Sequence, residues 1–214
     1  MAVRGCDQDG FARLHLLTDP DGPRPVLDVV EIALAEGVPW VQVRSKVGSD
    51  RERLAVIETV LQRCRLAGAT CVVNDRVDLA LAAGADGVHL GADDLPVAVA
   101  RRLLGADAVI GATVRDADGA RRAERAGADY LGVGPTQATS TKLVGVGPLG
   151  EDGVAAVAAV VDIPSVAIAG VTAESARALR LLGVAGVAVV GAVSRADDPA
   201  AACTALLDAV EGAP

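Results

Sequence analysis

A short phrase recurs along the chain, in which a small residue and a glycine precede an apolar run. It reads AEGVPWVQVR, LAGATCVVND, AAGADGVHLG, RAGADYLGVG and LLGVAGVAVV. Glycine suits the left-handed position just past the end of a helix, and the apolar run after it, rich in β-branched residues, suits a buried strand. The phrase therefore predicts repeated joints at which a helix ends and a strand begins.

The same pattern, once the gaps between its occurrences are filled, predicts eight strands. They lie near residues 14–18, 39–44, 70–74, 86–90, 108–112, 129–133, 165–169 and 186–190. The helical patterns between them are clearest at 20–37 and 49–68, short at 77–83 and amphipathic at 116–126. Short alternating units imply right-handed crossovers and a parallel sheet. Eight units in 214 residues favour an α/β fold, a single (β/α)8 TIM barrel, over the alternative of an open doubly wound sheet.

The chain shows no internal boundary. No Gly/Ser-rich linker or block of charge divides it, so residues 1–214 are expected to form a single barrel domain. Residues 1–10 are expected to form a flexible N-terminal segment. The long irregular stretch at 134–150 is expected to be an active-site loop.

The composition argues against several classes of protein. Hydrophobic residues make up 51% of the chain, yet it has one Phe, one Tyr and one Trp, so small aliphatic residues must build the core. A net charge of −8 argues against a nucleic-acid partner, because phosphate backbones are bound by clustered Lys and Arg. Without a signal peptide or a run of about 18 apolar residues, we expect a cytoplasmic protein with no membrane contact. No C-x-x-C pair suggests a zinc or disulfide framework among Cys6, Cys64, Cys71 and Cys203.

Polar residues follow the predicted strands, at the end of a barrel that carries its chemistry. In QVRSK, the two-residue period of a strand points Gln42, Arg44 and Lys46 the same way, while the valines face the helices. One interpretation is a solvated edge. The one we favour is a cationic wall at the barrel mouth, to which Lys142 adds a positive charge from the opposite side.

Two acids also follow neighbouring predicted strands, Asp75 after CVVN and Asp94 after GVHLGAD. Mg²⁺ commonly takes one or two carboxylates, with waters and substrate phosphate oxygens completing its shell. The two aspartates are therefore candidate magnesium ligands, beside cations that would neutralise a pyrophosphate. The alternative is that they cap helices beginning near Arg76 and Pro96, since Asp is a favoured cap and Pro a favoured early helix residue.

Glycines near the last two strands suggest a second anion site. Gly170 and Gly191 admit close approach of the backbone to a phosphate, which barrels often bind after strands seven and eight; the alternative is plain turn geometry. The glycine pattern GVGPLG at 145–150 lies inside a loop and not directly after a strand, so no dinucleotide site is expected. His15 and His89 lie within predicted strands and are interpreted as packed imidazoles.

These residues resemble the thiamine phosphate synthase (thiamine-phosphate pyrophosphorylase) family, which is related to thiazole tautomerase. The resemblance covers nearly the whole chain and runs through LHLLTD, QVRSK, VNDRVDLALAAGADGVHLGADDLP, GPTQATSTK, GPLG, VAIAGVT and GVAVVGA. It implies a transferase that condenses 4-amino-2-methyl-5-(diphosphomethyl)pyrimidine with thiazole phosphate. The pyrimidine would ionise at its methylene, pyrophosphate would leave, and the thiazole nitrogen would attack the cation to give thiamine phosphate.

The resemblance also implies roles for individual residues. The diphosphate and pyrimidine would be held by Gln42, Arg44, Lys46, Asn74 and Lys142, with Thr113 also at the reacting centre. Mg²⁺ would be held by Asp75 and Asp94. The thiazole phosphate would be received by Thr139, Ser140, Thr141, Gly170, Val190 and Gly191. The implied partners are small phosphorylated substrates, and a homodimer is one option for the assembly.

The chain departs from the family pattern at a few positions. Thr113 stands where the family usually has Ser, and Arg115 near the position of a usual His. Ala169 replaces a common second Gly, Gly191 a frequent Ser, and Ser45 an acid. These departures concern the pyrimidine and thiazole pockets. They do not affect the residues that are expected to bind the metal and the diphosphate.

Two other functions are alternatives. Thiazole tautomerase shares the barrel and the thiazole-phosphate pocket but shifts a proton without joining two rings. It needs no metal carboxylates, so the acidic pair and the two lysines, together with the missing histidine at Arg115, argue against it. The second alternative is a non-catalytic barrel that binds a phosphorylated ligand, which the departures at Thr113 and Gly191 keep open.

Overall fold

The computed structural model describes residues 10–137 and 147–212. Within them, eight strands alternate with helices along the chain. The strands are β1 (Leu14–Leu17), β2 (Trp40–Val43), β3 (Thr70–Asn74), β4 (Gly87–Leu90), β5 (Val109–Val114), β6 (Tyr130–Val133), β7 (Ser165–Ile168) and β8 (Gly186–Val189). The helices are α1 (Val26–Ala35), α2 (Asp50–Ala67), α3 (Val77–Ala83), α4 (Val97–Leu104), α5 (Ala117–Arg125), α6 (Gly150–Ala158), α7 (Ala173–Leu181), α8 (Gly191–Ser194) and α9 (Pro199–Glu211).

The eight strands form one closed parallel sheet. Each strand pairs with the next in sequence order, and β1 also pairs with β8, with Leu14 opposite Val187. This closure confirms the (β/α)8 barrel and excludes the open doubly wound sheet. It also brings the carboxyl ends of all eight strands to one face, where the loops that follow them meet.

The recurring glycine of the sequence ends a helix each time. At all five occurrences of the phrase the glycine has a positive φ, between 64° and 91°: Gly37, Gly68, Gly84, Gly127 and Gly183. A residue with a Cβ is disfavoured in this left-handed conformation, so glycine fixes the turn from helix to strand. Helix α2 shows the matching start, because Ser49 and Glu52 form a capping box.

Some boundaries differ from the expected ones. Helix α1 begins at Val26 and not near residue 20, because prolines at 20, 23 and 25 precede it and its N-cap is Pro25. Strand β5 continues two residues past its predicted end, so Thr113 lies inside the strand, opposite Gly132 of β6. Strand β7 ends one residue early because Ala169 turns into the left-handed region, with a φ of 67°.

The core has an outer layer and an inner one. Val41 and Val43 pack with residues of α2 between the sheet and the helices, as their parity predicts. Trp40, of the opposite parity, lies inside the barrel with Phe11 and Tyr130. These three are the chain's only Phe, Tyr and Trp, and their ring centroids lie 5.4–6.2 Å apart. The aromatic residues are therefore concentrated where a small barrel needs bulk.

No helix in the two described ranges is both long enough and apolar enough to span a bilayer.

Candidate active site at the carboxyl ends of the strands

The acidic pair lies where β3 and β4 end. Asp75 directly follows β3, and its backbone N–H donates to the carbonyl of His89 in β4 at 2.8 Å. Its φ of 66° is left-handed, which is uncommon outside glycine but tolerated best by Asn and Asp. Asp94 lies in the loop after β4, where its Oδ2 accepts from the N–H of Gly91 at 2.6 Å. The backbone of Asp75 and the carboxylate of Asp94 are thus each held by a contact with the backbone at the end of β4.

The two carboxyl groups interact directly. Burial raises the pKa of Asp75 above its ordinary value of 3.8, and a hydrogen bond and the charge of Asp94 raise it further. Lys46 lowers this pKa, with its Nζ 3.5 Å from Oδ2 of Asp75. The carboxyl group of Asp94 therefore disfavours the charged form of Asp75, and Lys46 favours it. An additional cation at this position would relieve the repulsion.

The helix-capping alternative does not hold for either residue. The N-cap of α3 is Arg76 and that of α4 is Pro96, and neither helix has a side-chain capping hydrogen bond. Asp75 instead carries the ion pair with Lys46, and Asp94 closes the turn back to Gly91. Neither carboxylate is therefore used to cap the helix that follows it.

The donor set fits magnesium better than a metal that needs a full protein cage. In the part of the chain that the structure describes, no group of three or more His, Cys, Asp or Glu side chains is arranged to hold a metal. Two neighbouring carboxylates match the one or two that Mg²⁺ commonly takes when waters and substrate oxygens complete its octahedron. The site fits a metal that arrives with a phosphorylated substrate.

One of the predicted cations contacts this pair, and a second follows the same strand. Arg44 follows β2, and its backbone is held to Thr18, whose Oγ1 accepts from the Arg44 N–H at 2.8 Å and donates to the Arg44 carbonyl at 3.0 Å. Lys46 is half exposed and contacts Asp75. Lys142, predicted on the opposite side, lies outside the described residues, as do Thr139, Ser140 and Thr141.

Gln42 lies deeper than the mouth. Its side chain points inward as predicted, but it is 3% exposed and forms a hydrogen bond with Tyr130. The Tyr130 hydroxyl lies 2.9 Å from Nδ1 of His89, whose Nε2 lies 2.9 Å from Oγ1 of Thr113. A chain of buried polar groups therefore leads across the barrel interior to the Thr113 hydroxyl.

The loops after β6 and β7 are joined to each other. The backbone N–H groups of Thr136 and Gln137 donate to the carbonyls of Ile168 and Ala169 at 2.9 and 3.1 Å. A Cβ on Gly170, whose φ is 74°, would lie 2.8 Å from Cβ of Gln137. Only glycine fits this crossing without strain, so the two loops approach as closely as their backbones allow.

Comparison with known proteins places this geometry in a family. A sequence model described as thiamine monophosphate synthase matches residues 14–193. The chain belongs to this family.

Individual relatives agree with the assignment. The chain is 48% identical over 204 residues to the thiamine-phosphate synthase of Salinispora tropica, covering 94% of this chain and 98% of that one. It is 49% identical over 201 residues to the bifunctional thiamine biosynthesis protein ThiM/ThiE of Symbiobacterium thermophilum, covering 94% of this chain and 42% of that longer protein. The solved thiamine phosphate pyrophosphorylase of Pyrococcus furiosus superposes with a TM-score of 0.86 at 37% identity, covering 94% of this chain and 96% of that one.

Two departures from the pattern of the thiamine monophosphate synthase family have visible roles. Arg115 donates from one terminal nitrogen to the carbonyl of Gly147 at 3.0 Å, and so links the end of β5 to the segment just before α6. Ala169 adopts the left-handed conformation with a φ of 67°, which a glycine would adopt without a Cβ penalty. The turn after β7 is therefore kept despite the missing glycine.

Sequence reasoning missed the partners of His89. The packed-imidazole interpretation is correct about burial, since His89 is 6% exposed, but both ring nitrogens contact side chains. A Cβ on Gly111 would overlap the rings of Tyr130 and His89, and a Cβ on Gly132 would lie 2.9 Å from Cε1 of His89. Glycines at inward positions of neighbouring strands are the signal that a polar ring fills the space beside them.

Proposed function

We propose that the protein joins 4-amino-2-methyl-5-(diphosphomethyl)pyrimidine to thiazole phosphate, with release of pyrophosphate and formation of thiamine phosphate. The observation that carries the proposal is the acidic pair, in which Asp75 and Asp94 interact beside Lys46 at the barrel mouth. Family membership, and the similarity to the thiamine-phosphate synthase of Salinispora tropica over nearly its whole length, support the same reaction. The proposal makes the chain a transferase with a diphosphate leaving group.

The leaving group determines what the site must do. When the C–O bond breaks, its electron pair goes to the pyrophosphate, whose negative charge increases in the transition state. Cations already in place stabilise that state more than the ground state, which raises kcat. We assign this role to Arg44, Lys46 and Lys142. Mg²⁺ bound by Asp75 and Asp94 would add positive charge beside the departing oxygens.

The two rings are assigned to different parts of the mouth. Gln42, Asn74 and Thr113 would hold the pyrimidine, with the Thr113 hydroxyl positioned by its 2.9 Å contact to His89. The thiazole phosphate would be received by Thr139, Ser140, Thr141, Gly170, Val190 and Gly191. A general base is not required, because the attacking thiazole nitrogen brings a lone pair and loses no proton.

The decisive experiment measures thiamine phosphate and pyrophosphate formed from the two phosphorylated rings, with Mg²⁺ and with EDTA. Stoichiometric, Mg²⁺-dependent release of both products is expected. Tautomerisation of the thiazole that survives EDTA, with no coupling, would replace the proposal by the tautomerase. Tight binding of thiazole phosphate without any turnover would replace it by the non-catalytic barrel.

The assay also separates two choices that the sequence leaves open. Replacing Mg²⁺ by Mn²⁺ tests the metal, and offering the carboxylated and the decarboxylated thiazole tests the substrate form. A cytoplasmic location and a homodimer remain predictions from the sequence.

A further inference from the structure

Arg195 follows helix α8 and folds back toward the first residue of that helix. A Cβ built on Gly191 would lie 3.3 Å from Cδ of Arg195 and 3.8 Å from its Nε. A side chain at position 191 would therefore crowd the arginine stem, and the glycine leaves that space to it. The Arg195 side chain is 49% exposed, so part of it reaches solvent although its stem lies next to Gly191.

A buried acid holds this arginine. The Asp19 side chain is 1% exposed and lies just after β1, next to β8 in the closed sheet. Its Oδ2 accepts from Oγ of Ser194 at 2.9 Å and from Nε of Arg195 at 3.1 Å. A buried carboxylate with two donors is a firm anchor, because leaving it unpaired would be costly.

The anchor uses only one of the five N–H groups of the guanidinium. Nε is engaged by Asp19, and the two terminal nitrogens contact no other described side chain or carbonyl. These terminal groups form a planar fork whose geometry matches two oxygens of a phosphate. Asp19 thus fixes Nε of the arginine and leaves both terminal nitrogens without a partner among the described residues.

We propose that Arg195 binds the phosphate of the thiazole substrate, with Asp19 as the residue that positions it. The inference rests on the proposed function, which brings a phosphate to Gly170 and Gly191. It would give positive charge to a site whose described members, Gly170, Val190 and Gly191, carry no charged side chain. The substrate class is a monophosphate ester, recognised by charge and by two parallel hydrogen bonds.

The test compares Arg195→Gln with wild type in both coupling kinetics and direct binding. Gln can still donate one hydrogen bond to Asp19 but lacks the charge and the fork. We expect KM for thiazole phosphate to rise about tenfold to a hundredfold, the range for a lost charge-assisted contact, while KM for the pyrimidine diphosphate stays unchanged. Calorimetric binding of the thiazole alcohol, which lacks the phosphate, is expected to be equal in the two proteins.

Arg24→Gln is the matched control. Arg24 contacts the same segment from outside, donating to the carbonyls of Ser194 and Asp197 at 3.3 and 2.9 Å. If Arg195 acts only by keeping α8 in place, the two variants will lose thiazole phosphate affinity alike and the proposal is wrong. An unchanged KM in Arg195→Gln, or an equal rise for both substrates, would also overturn it.

The binding measurement separates this inference from the proposed function. If wild type forms no thiamine phosphate, calorimetry with thiazole phosphate still reports whether Arg195→Gln weakens binding of the phosphate relative to the alcohol. A coupling enzyme in which the variant binds both thiazoles like wild type would leave the proposed function intact and refute the role of Arg195.

Discussion

The two halves of the barrel mouth offer different groups to a phosphorylated substrate. After β3 and β4, the structure presents charged side chains in contact, Asp75 with Asp94 and Lys46. After β7 and β8, it presents backbone, with Gly170 at a φ of 74° and Gly191 beneath the stem of Arg195. The first half, which we call the acidic half, suits a metal and a group that gains charge during reaction. The second, the glycine half, suits a phosphate that keeps its charge throughout.

This difference separates catalysis from binding. Charges that meet a leaving group are strengthened in the transition state and affect kcat, whereas contacts to an unchanging phosphate stabilise ground and transition states equally. Substitutions in the acidic half are therefore expected to lower kcat. Substitutions in the glycine half are expected to raise KM for thiazole phosphate with kcat preserved.

The largest effect is expected from Asp75→Asn and Asp94→Asn. Each removes a carboxylate from the acidic half while keeping its shape, so Mg²⁺-dependent coupling should fall about 10²–10³-fold in kcat, on the analogy of a lost oxyanion contact. The free energy of unfolding should not decrease, because Asn relieves the repulsion between two half-buried carboxyl groups. Steady-state kinetics and urea unfolding check both parts; unchanged kcat in either variant would refute the metal assignment.

Lys46→Met should give a smaller loss and a shift with pH. Removing a charged contact to the diphosphate is expected to lower kcat about tenfold to a hundredfold. Because Lys46 lowers the pKa of Asp75, its removal should raise that pKa further. Protonated Asp75 cannot bind Mg²⁺, so the acid limb of the rate profile should move to higher pH in the variant. Rates measured across the acidic range check the direction.

A control for Lys46→Met is Arg63→Met, which removes a cation paired with Glu31 on the helical surface, at 2.8 Å. Its acid limb should coincide with that of wild type. If both variants shift equally, the effect comes from net charge and not from contact with Asp75.

Gly170→Ala tests the glycine half. The new Cβ would lie 2.8 Å from Cβ of Gln137 at a left-handed φ, so the free energy of unfolding should fall by about 2–4 kcal/mol. The displaced loop should raise KM for thiazole phosphate more than it lowers kcat. Ala169→Gly is the matched control, since it removes a Cβ at the neighbouring left-handed residue and should not lower stability. A Gly170→Ala enzyme with a normal KM for thiazole phosphate and a lowered kcat would contradict the assignment of binding to the glycine half and catalysis to the acidic half.

The sequence predicted the parts of the molecule that repeat or carry charge. The five glycines at which a helix ends before a strand predicted the barrel. The parity of residues in β2 predicted that the side chain of Gln42 points inward. The acidic pair was visible because Asp75 and Asp94 follow runs with clear strand character. These features depend on local rules, which a single sequence displays.

The remaining features depend on contacts between distant segments. Arg195 meets Asp19 176 positions away, and His89 meets Tyr130 41 positions away. Neither pair has a local pattern, because closure of the sheet brings β1 beside β8, and the barrel interior collects inward residues from several strands. Such pairs become visible only once the register of the strands is known.

The smallest effect is expected from the buried polar network that leads to the pyrimidine side of the mouth. Tyr130→Phe removes the hydroxyl that lies 2.9 Å from Nδ1 of His89 and bonds Gln42, which should cost about 1–2 kcal/mol of stability by leaving buried polar groups unpaired. Thr113→Val removes the other partner of the same imidazole, at 2.9 Å. If His89 couples them, the double variant should lose less than the sum of the two single losses, because the imidazole is already misplaced after the first. Strict additivity in urea unfolding would show that the two contacts are independent. The network of polar side chains joins Gln42 to Thr113, and both are assigned to the pyrimidine. Tyr130→Phe should therefore raise KM for the pyrimidine diphosphate more than KM for thiazole phosphate; a rise confined to thiazole phosphate would contradict that assignment.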